Sequence, residues 1–360
     1  MRYKGAMLAQ HDLLIENYYV FFRHRYGRSA CRRYDAVSCS SNFLKADTGI
    51  FDMKCVIFVL SLLSAPVSSQ ELTAPVPSKA RFLTSEAGSF DEWPCFSPDG
   101  NSILFSRSVD KGKTWEFFLV SADGGEAKRF VQSPLPLSVS ATRAAWSART
   151  NLIAFTGVSN DGIGSLWFLD SQGTQARPFV AAAPTQQAFY PSWYPDGRRL
   201  VVMDAKDLVL KSVDRESGAI ETITDRNRIF TGMPSVSPDG KSIAFAGQVN
   251  AGQPYDQNKN SIWLIGKTGE PHVVEHESLQ GRAPTWSPDG RRIVFESNRG
   301  SGRFYAVFVI GADGTGATQI TEYNLNATHP VWSPRSKEIV FSARQSNGQM
   351  GTGIAIADVP

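Results

Sequence analysis

A tight-turn tetrapeptide followed by an apolar strand is written six times along this chain: SPDGNSILFSR, SARTNLIAFTG, YPDGRRLVVMD, SPDGKSIAFAG, SPDGRRIVFES and SPRSKEIVFSA. Taking the tetrapeptide proline as origin, the anchors are Pro98, Ala148 in place of proline, Pro195, Pro238, Pro288 and Pro334, spaced by 50, 47, 43, 50 and 46 residues. Periods of that length with several strands per unit belong to propeller blades. The spacing predicts an all-β, six-bladed β-propeller.

Each position of the repeat has a physical reading. Five residues after the anchor stand Ile103, Ile153, Leu200, Ile243, Ile293 and Ile339, and two further on Phe105, Phe155, Val202, Phe245, Phe295 and Phe341. Positions two apart share one face of a strand, so every unit offers an aliphatic and usually an aromatic to the same neighbour. Two residues before the anchor come Phe96, Trp146, Trp193, Val236, Trp286 and Trp332. Burying each of these is worth about 1.5–3 kcal/mol. Four residues before the anchor, Pro94, Pro191, Pro234, Pro284 and Pro330 recur, with Ala144 as the exception. Because proline is confined to strand starts and edges, these mark the expected start of the first strand of each blade.

The aspartates Asp99, Asp196, Asp239 and Asp289 read as turn residues. Proline presets φ, aspartate caps its own turn and glycine accepts positive φ. Units that lack the aspartate, with Arg149 and Arg335 there instead, keep the same register.

A third strand follows in every unit, a Gly-containing turn comes after it in all but the last, and a fourth strand appears in five units only. The last unit ends at Pro360 without one. At the other end, KARFLTSE (Lys79–Glu86) resembles the fourth strands and has no third strand before it. The expectation is that this segment completes the last blade and closes the ring, removing unpaired sheet edges.

Ahead of the propeller, MKCVIFVLSLLSAPVSSQ from Met53 has the grammar of a secretory signal peptide, with Lys54, a short apolar run and small residues after it. The run falls short of the roughly 20 apolar residues a membrane span needs. The expected organisation is therefore a non-native upstream extension at 1–52, a signal peptide at 53–69, a short linker at 70–78 and the propeller at 79–360, exported to the periplasm or secreted. Residues 1–69 hold 9 of the 37 Lys and Arg and 5 of the 34 Asp and Glu, which leaves 28 against 29 in the remainder. That near-neutral balance removes the support for a nucleic-acid or anionic-membrane role. Of the four cysteines only Cys95 remains, beside Phe96, as a small buried hydrophobe.

The P-x-W-S-P-D-G-x-x-I-x-F core, seen most fully in APTWSPDGRRIVFESNRG followed by FYAVFVIGADGTGATQITE, resembles the six-bladed propeller of the TolB family, the periplasmic component of the Tol–Pal envelope system. The resemblance covers about Lys79 to Pro360 and implies an exported propeller that binds a protein or peptide partner. That family carries an α/β domain ahead of its propeller. Here only Gln70–Ser78 separates the signal-like segment from the first strand, so roles that need that domain are not carried over.

Candidate binding residues are those that break the symmetry of the repeat. Immediately before each strand-opening proline or its substitute stand Trp93, Arg143, Tyr190, Met233, Ala283 and His329, and one residue earlier Glu92 and Arg282 among others. Glu92, Trp93, Arg143, Tyr190, Arg282 and His329 are the expected ligand-binding set at the channel mouth, joined by Tyr255 from the long loop Gly247–Asn260. Guanidinium forks suit carboxylates and aromatic rings supply stacking area. No G-x-S-x-G elbow, HExxH or phosphate loop occurs. His272 and His276 read as exposed residues, and the acidic loop Ser159–Gly162 shows no full calcium ligand set. The sequence thus indicates no catalytic residue, metal or cofactor, and a monomeric scaffold whose partner is a protein or peptide. The alternative is a propeller that binds or cleaves an acidic, uronate-type glycan.

Overall fold

A computed structural model describes residues 79–360 apart from 109–113, 132–134, 136–137, 140–142, 160–161, 181–186, 267–268, 275–279, 336 and 345–350. The readings of 1–52, 53–69 and 70–78 lie outside the described residues. Among those described, the chain folds into six antiparallel sheets, one per copy of the repeat. Among the described residues, helix is limited to two single 3-10 turns, Gln257–Lys259 and Tyr323–Leu325.

Blade 1 opens with Asp91–Phe96, blade 2 with the interrupted pair Ser138–Val139 and Ala145–Trp146, and blade 3 with Ala188–Trp193. Blades 4, 5 and 6 open with Ile229–Val236, Arg282–Trp286 and Thr328–Trp332. Each of these first strands touches the first strand of the next blade, and the sixth touches the first, so together they line a central channel. The ring is closed by the chain's early segment. Arg81–Phe82 pairs antiparallel with Thr352–Asp358, the last strand of the sequence, in the register Arg81 to Ile356 and Phe82 to Ala355. Leu83 N–H donates to the Ile354 carbonyl at 2.7 Å, and the Arg81 guanidinium reaches the Ala122 and Asp123 carbonyls of blade 1.

The core lies between blades. Leu83, Phe96, Ile103 and Phe105 pack with Val340, Ile354 and Ile356 across the closure, and Val294, Val307 and Val309 of blade 5 pack with Trp332, Ile339 and Phe341 of blade 6. Two of the repeat tryptophans add a hydrogen bond to this packing. Trp193 Nε1 donates to the Ala145 carbonyl at 2.9 Å and Trp286 Nε1 to the Ser235 carbonyl at 3.0 Å, each reaching the preceding blade.

The tetrapeptide aspartates cap their own turns. Asp99 accepts from Ser97 Oγ and from the Asn101 N–H, and Asp239 accepts from Ser237 Oγ and the Lys241 N–H. The turn glycine has two reasons to be there. Gly240 sits at φ 69° with Pro195 of blade 3 against it, and Gly100 at φ 72° with Pro334 and Arg335 of blade 6 against it, so the turns abut one another around the ring.

One expectation is corrected. The recurrent prolines do not open the strands: Pro94 and Pro191 are the fourth residues of Asp91–Phe96 and Ala188–Trp193. In five blades the ladder slips there, as Glu92 faces Ser106 while Cys95 faces Leu104, so three steps on one strand meet two on the other. This is a β-bulge, and the residue it leaves unpaired needs no N–H donor, which is why proline is accepted in mid-strand.

Candidate functional site

The bulge also sets the backbone of the residue before each proline. Trp93, Tyr190, Met233, Ala283 and His329 all lie in the left-handed region, with φ of 56°, 53°, 51°, 48° and 55°. Non-glycine residues seldom adopt it. Recurrence in five blades makes the conformation a property of the blade, whereas the side chain it carries differs from one blade to the next. Blade 2 departs from the rule. It has Ala144 for proline, and between the pairs Val139–Gly157 and Ala145–Ala154 six steps on one strand face three on the other. Arg143 sits in that gap.

These residues meet at the end of the channel where the first strands begin. The His329 ring stacks on Trp93 with centroids 3.4 Å apart and planes at 20°, and Trp93 contacts Tyr190 at 5.4 Å. His329 Nδ1 lies 3.1 Å from Glu92 Oε2. The His329 backbone N–H donates to Glu296 Oε2 at 2.6 Å, and Glu296 Oε1 accepts from Arg282 Nε at 2.9 Å and pairs with Nη2 at 2.7 Å. Glu296 is fully buried. Burial alone would raise its carboxyl, but the Arg282 guanidinium and the His329 N–H hold it below its ordinary value. Burial likewise works against the charge of Arg282, and Glu296 more than offsets this, leaving the guanidinium above its ordinary value. The Arg282 guanidinium also covers the Tyr305 ring, 4.2 Å from its centroid.

The loop Gly247–Asn260 packs onto the same network. Arg282 Nη1 donates to Gln257 Oε1 at 3.2 Å, Asn260 Nδ2 donates to the Tyr255 hydroxyl at 2.8 Å, and the Tyr255 ring meets Phe230 edge-on. Tyr255 keeps 36% of its surface in solvent, whereas Trp93 and Tyr190 keep 6% each.

Arg143 behaves differently from the rest. It is 7% exposed and reaches across the channel, with Nη2 2.9 Å from the Pro234 carbonyl and Nη1 3.5 Å from that of Pro284. Those are bulge prolines of blades 4 and 5, on the far side of the ring from blade 2. Burial pulls the Arg143 guanidinium down to about 10, though nearby Cys95, Tyr190 and Glu296 act in its favour. The seven residues singled out in the sequence are therefore neighbours in one assembly, with Arg143 set deeper than the others.

Sequence reasoning missed Glu296, which joins Arg282 to His329. A signal for it existed. Eight residues past the anchor the other units carry Ser106, Thr156, Met203, Ala246 and Ser342, and only this unit carries a charge. His272 is exposed in the short strand His272–Val273, and His276 and residues 160–161 lie outside the described residues. Among the described residues no group of three or more His, Cys, Asp or Glu is placed to hold a metal ion, and no helix is long and apolar enough to cross a membrane.

No family model matches the chain. It is 31% identical over 203 residues to a Tol-Pal system protein TolB of Francisella tularensis, an alignment covering 54% of this chain and 43% of that protein. The chain spans less than half the length of the curated relatives it matches. Among solved structures, TolB from Acinetobacter baumannii superposes with a TM-score of 0.52 at 17% identity, over 76% of this chain and 64% of that one. The chain is a TolB-like six-bladed β-propeller. An oligogalacturonate lyase in complex with manganese shares the fold at a TM-score of 0.53 and 12% identity, over 78% of this chain and 93% of that one. At such identities the likeness to solved structures speaks for the fold, and the TolB-like character rests on the curated relative together with the repeat.

Proposed function

We propose that this TolB-like propeller is a non-enzymatic, exported scaffold of the cell envelope that binds a protein or peptide partner at the mouth formed by Glu92, Trp93, Tyr190, Tyr255, Arg282 and His329. The observation that carries the reading is the contiguity of this set. Blade-specific residues from blades 1, 3, 4, 5 and 6 join one network at one end of the channel, while the rest of each blade repeats. Symmetry explains the repeated positions and leaves these to be explained by recognition. The name of the curated relative supports a setting of the Tol–Pal kind, and in this reading the propeller is a monomer that acts in the periplasm or is secreted.

The alternative, an acidic glycan at the same mouth, rests on the fold shared with oligogalacturonate lyase. It requires an available cation. Arg282 is neutralised by Glu296 and Arg143 is turned into the channel, so the mouth favours a surface of mixed polar and apolar character over a polyuronate. Retention from envelope extract on immobilised wild type and on Glu92→Ala/His329→Ala decides between them, with uronate oligomers run in parallel. A defined protein retained by the wild type and lost by the variant supports the proposal. Uronate binding or cleavage that requires His329 overturns it.

A further inference from the structure

The channel has a second opening, at the end where the tetrapeptide turns abut. There a cavity of about 400 Å³ is walled by Trp146, Trp193, Trp286 and Trp332 together with the turn prolines, and Arg143 lies at its inner end. That volume is in the range of small-molecule sites. Its charge content is one-sided. Among the described residues, the only ionised ones of the wall are Arg143 and Arg149, and no Asp or Glu contributes to it. Arg149 is exposed at the rim, but Arg143 is buried, and among the described residues it has no ion-pair partner, bonding only to two neutral carbonyls. Cys95, also in the wall, supplies no counter-charge, because burial pushes its thiol up to about 12.

A buried guanidinium with no carboxylate in contact, and only Glu296 acting on it from further off, is costly to keep, and a protein that only needed to fill this gap would be served better by an apolar side chain. Arg143 lies between the two paired stretches of blade 2, next to Ala144, which stands where other blades carry the bulge proline. Trp332 adds an unsatisfied donor. Its N–H is buried and has no partner among the described residues, whereas Trp193 and Trp286, at the same register, donate to carbonyls of the preceding blade.

We infer that this cavity is a binding site for a small organic anion, a carboxylate on a flat apolar body, with the carboxylate paired to Arg143 and the body lying against the indole and proline walls. The cavity opens at the end of the strands opposite the partner mouth, although Arg143 at its inner end lies within electrostatic reach of Tyr190 and Glu296 of that network, and the inference does not depend on that reading. Guanidinium forks bind carboxylates bidentately, and indole faces supply the apolar area.

The test is calorimetric titration of the wild-type propeller with 2-naphthoate and, separately, with the neutral 2-naphthamide. A charge-assisted pair predicts that the carboxylate binds at one site about tenfold or more tightly than the amide. This comparison needs no variant, so it stands even if Arg143→Met fails to fold. With variants, Trp146→Leu in the cavity wall weakens naphthoate binding and Trp93→Ala at the opposite mouth leaves it unchanged. The inference is overturned if neither compound binds up to its solubility limit, if the two bind equally, or if Trp93→Ala abolishes binding while Trp146→Leu does not.

Discussion

Arg107 holds both carboxylate oxygens of Asp91, with Nε 2.7 Å from Oδ1 and Nη2 2.8 Å from Oδ2. Asp91 is fully buried, and the same guanidinium pairs with Glu86 on the closing segment. The pair thus ties the first two strands of blade 1 to the stretch of chain that completes blade 6. The Phe105 and Phe118 rings cover the cation.

Breaking such a buried pair leaves the Arg107 guanidinium with only the largely exposed Glu86 to balance it. Asp91→Asn is expected to destabilise the propeller by about 3–5 kcal/mol, with Glu86→Gln costing far less because Glu86 is largely exposed. Urea unfolding of the two variants checks the order. Equal effects would place the closure energy elsewhere.

The fold was legible because the repeat encodes it several times over: the apolar pair at Ile103 and Phe105 and its equivalents, the turn tetrapeptide, and the fourth strand displaced to Lys79–Glu86. The candidate rim was legible for the opposite reason, since Trp93, Tyr190 and His329 stand where the repeat has no preferred residue. The left-handed bulge was not legible. Proline before a strand and proline within a bulge look alike in sequence, and only the ladder register separates them. The destination of Arg143 was hidden too, because its partners Pro234 and Pro284 bond through backbone carbonyls that carry no side-chain signal.

The indole links between blades make a milder prediction. Trp193→Phe keeps most of the apolar area but removes the donor to the Ala145 carbonyl, and is expected to cost about 1–3 kcal/mol. Trp332→Phe removes an N–H that has no partner among the described residues, and is expected to cost less or to stabilise. Thermal unfolding of both variants measures the difference.

Acid sensitivity follows from the turn carboxylates. The Ser97 hydroxyl and the Asn101 N–H hold Asp99 down at about 2, and the Ser217 N–H holds Asp214 there as well. Asp239 and Asp289 are lowered by Ser237 and Ser287 in the same manner. A carboxylate whose folded pKa is depressed contributes stability above its unfolded value and loses it as pH falls to the folded one. Melting temperature should therefore be level above about pH 5 and fall between about pH 4 and pH 2, with Asp99→Asn showing a lower plateau and a shallower acid decline. A melting temperature that rises over that acid range would contradict this.

Cys95 should be inert in the folded protein. Its buried thiol, pushed up to about 12, presents almost no thiolate at pH 8. Iodoacetamide is expected to label it slowly in the native protein and rapidly in urea. Fast native labelling would show that the channel wall opens on the timescale of the reaction.

The geometry of both channel mouths depends on the ring being closed in the register Phe82 to Ala355. A cysteine pair measures that directly, since the Leu83 to Ile354 hydrogen bond makes the adjoining Phe82–Ala355 pair one of the closer, non-hydrogen-bonded kind suited to a disulfide. Phe82→Cys/Ala355→Cys is predicted to form an intramolecular disulfide in the monomer and to raise the melting temperature relative to its reduced form. Introduced thiols left free after mild oxidation, counted apart from Cys95, or a disulfide found only between molecules, would contradict the closure and with it the geometry of both openings.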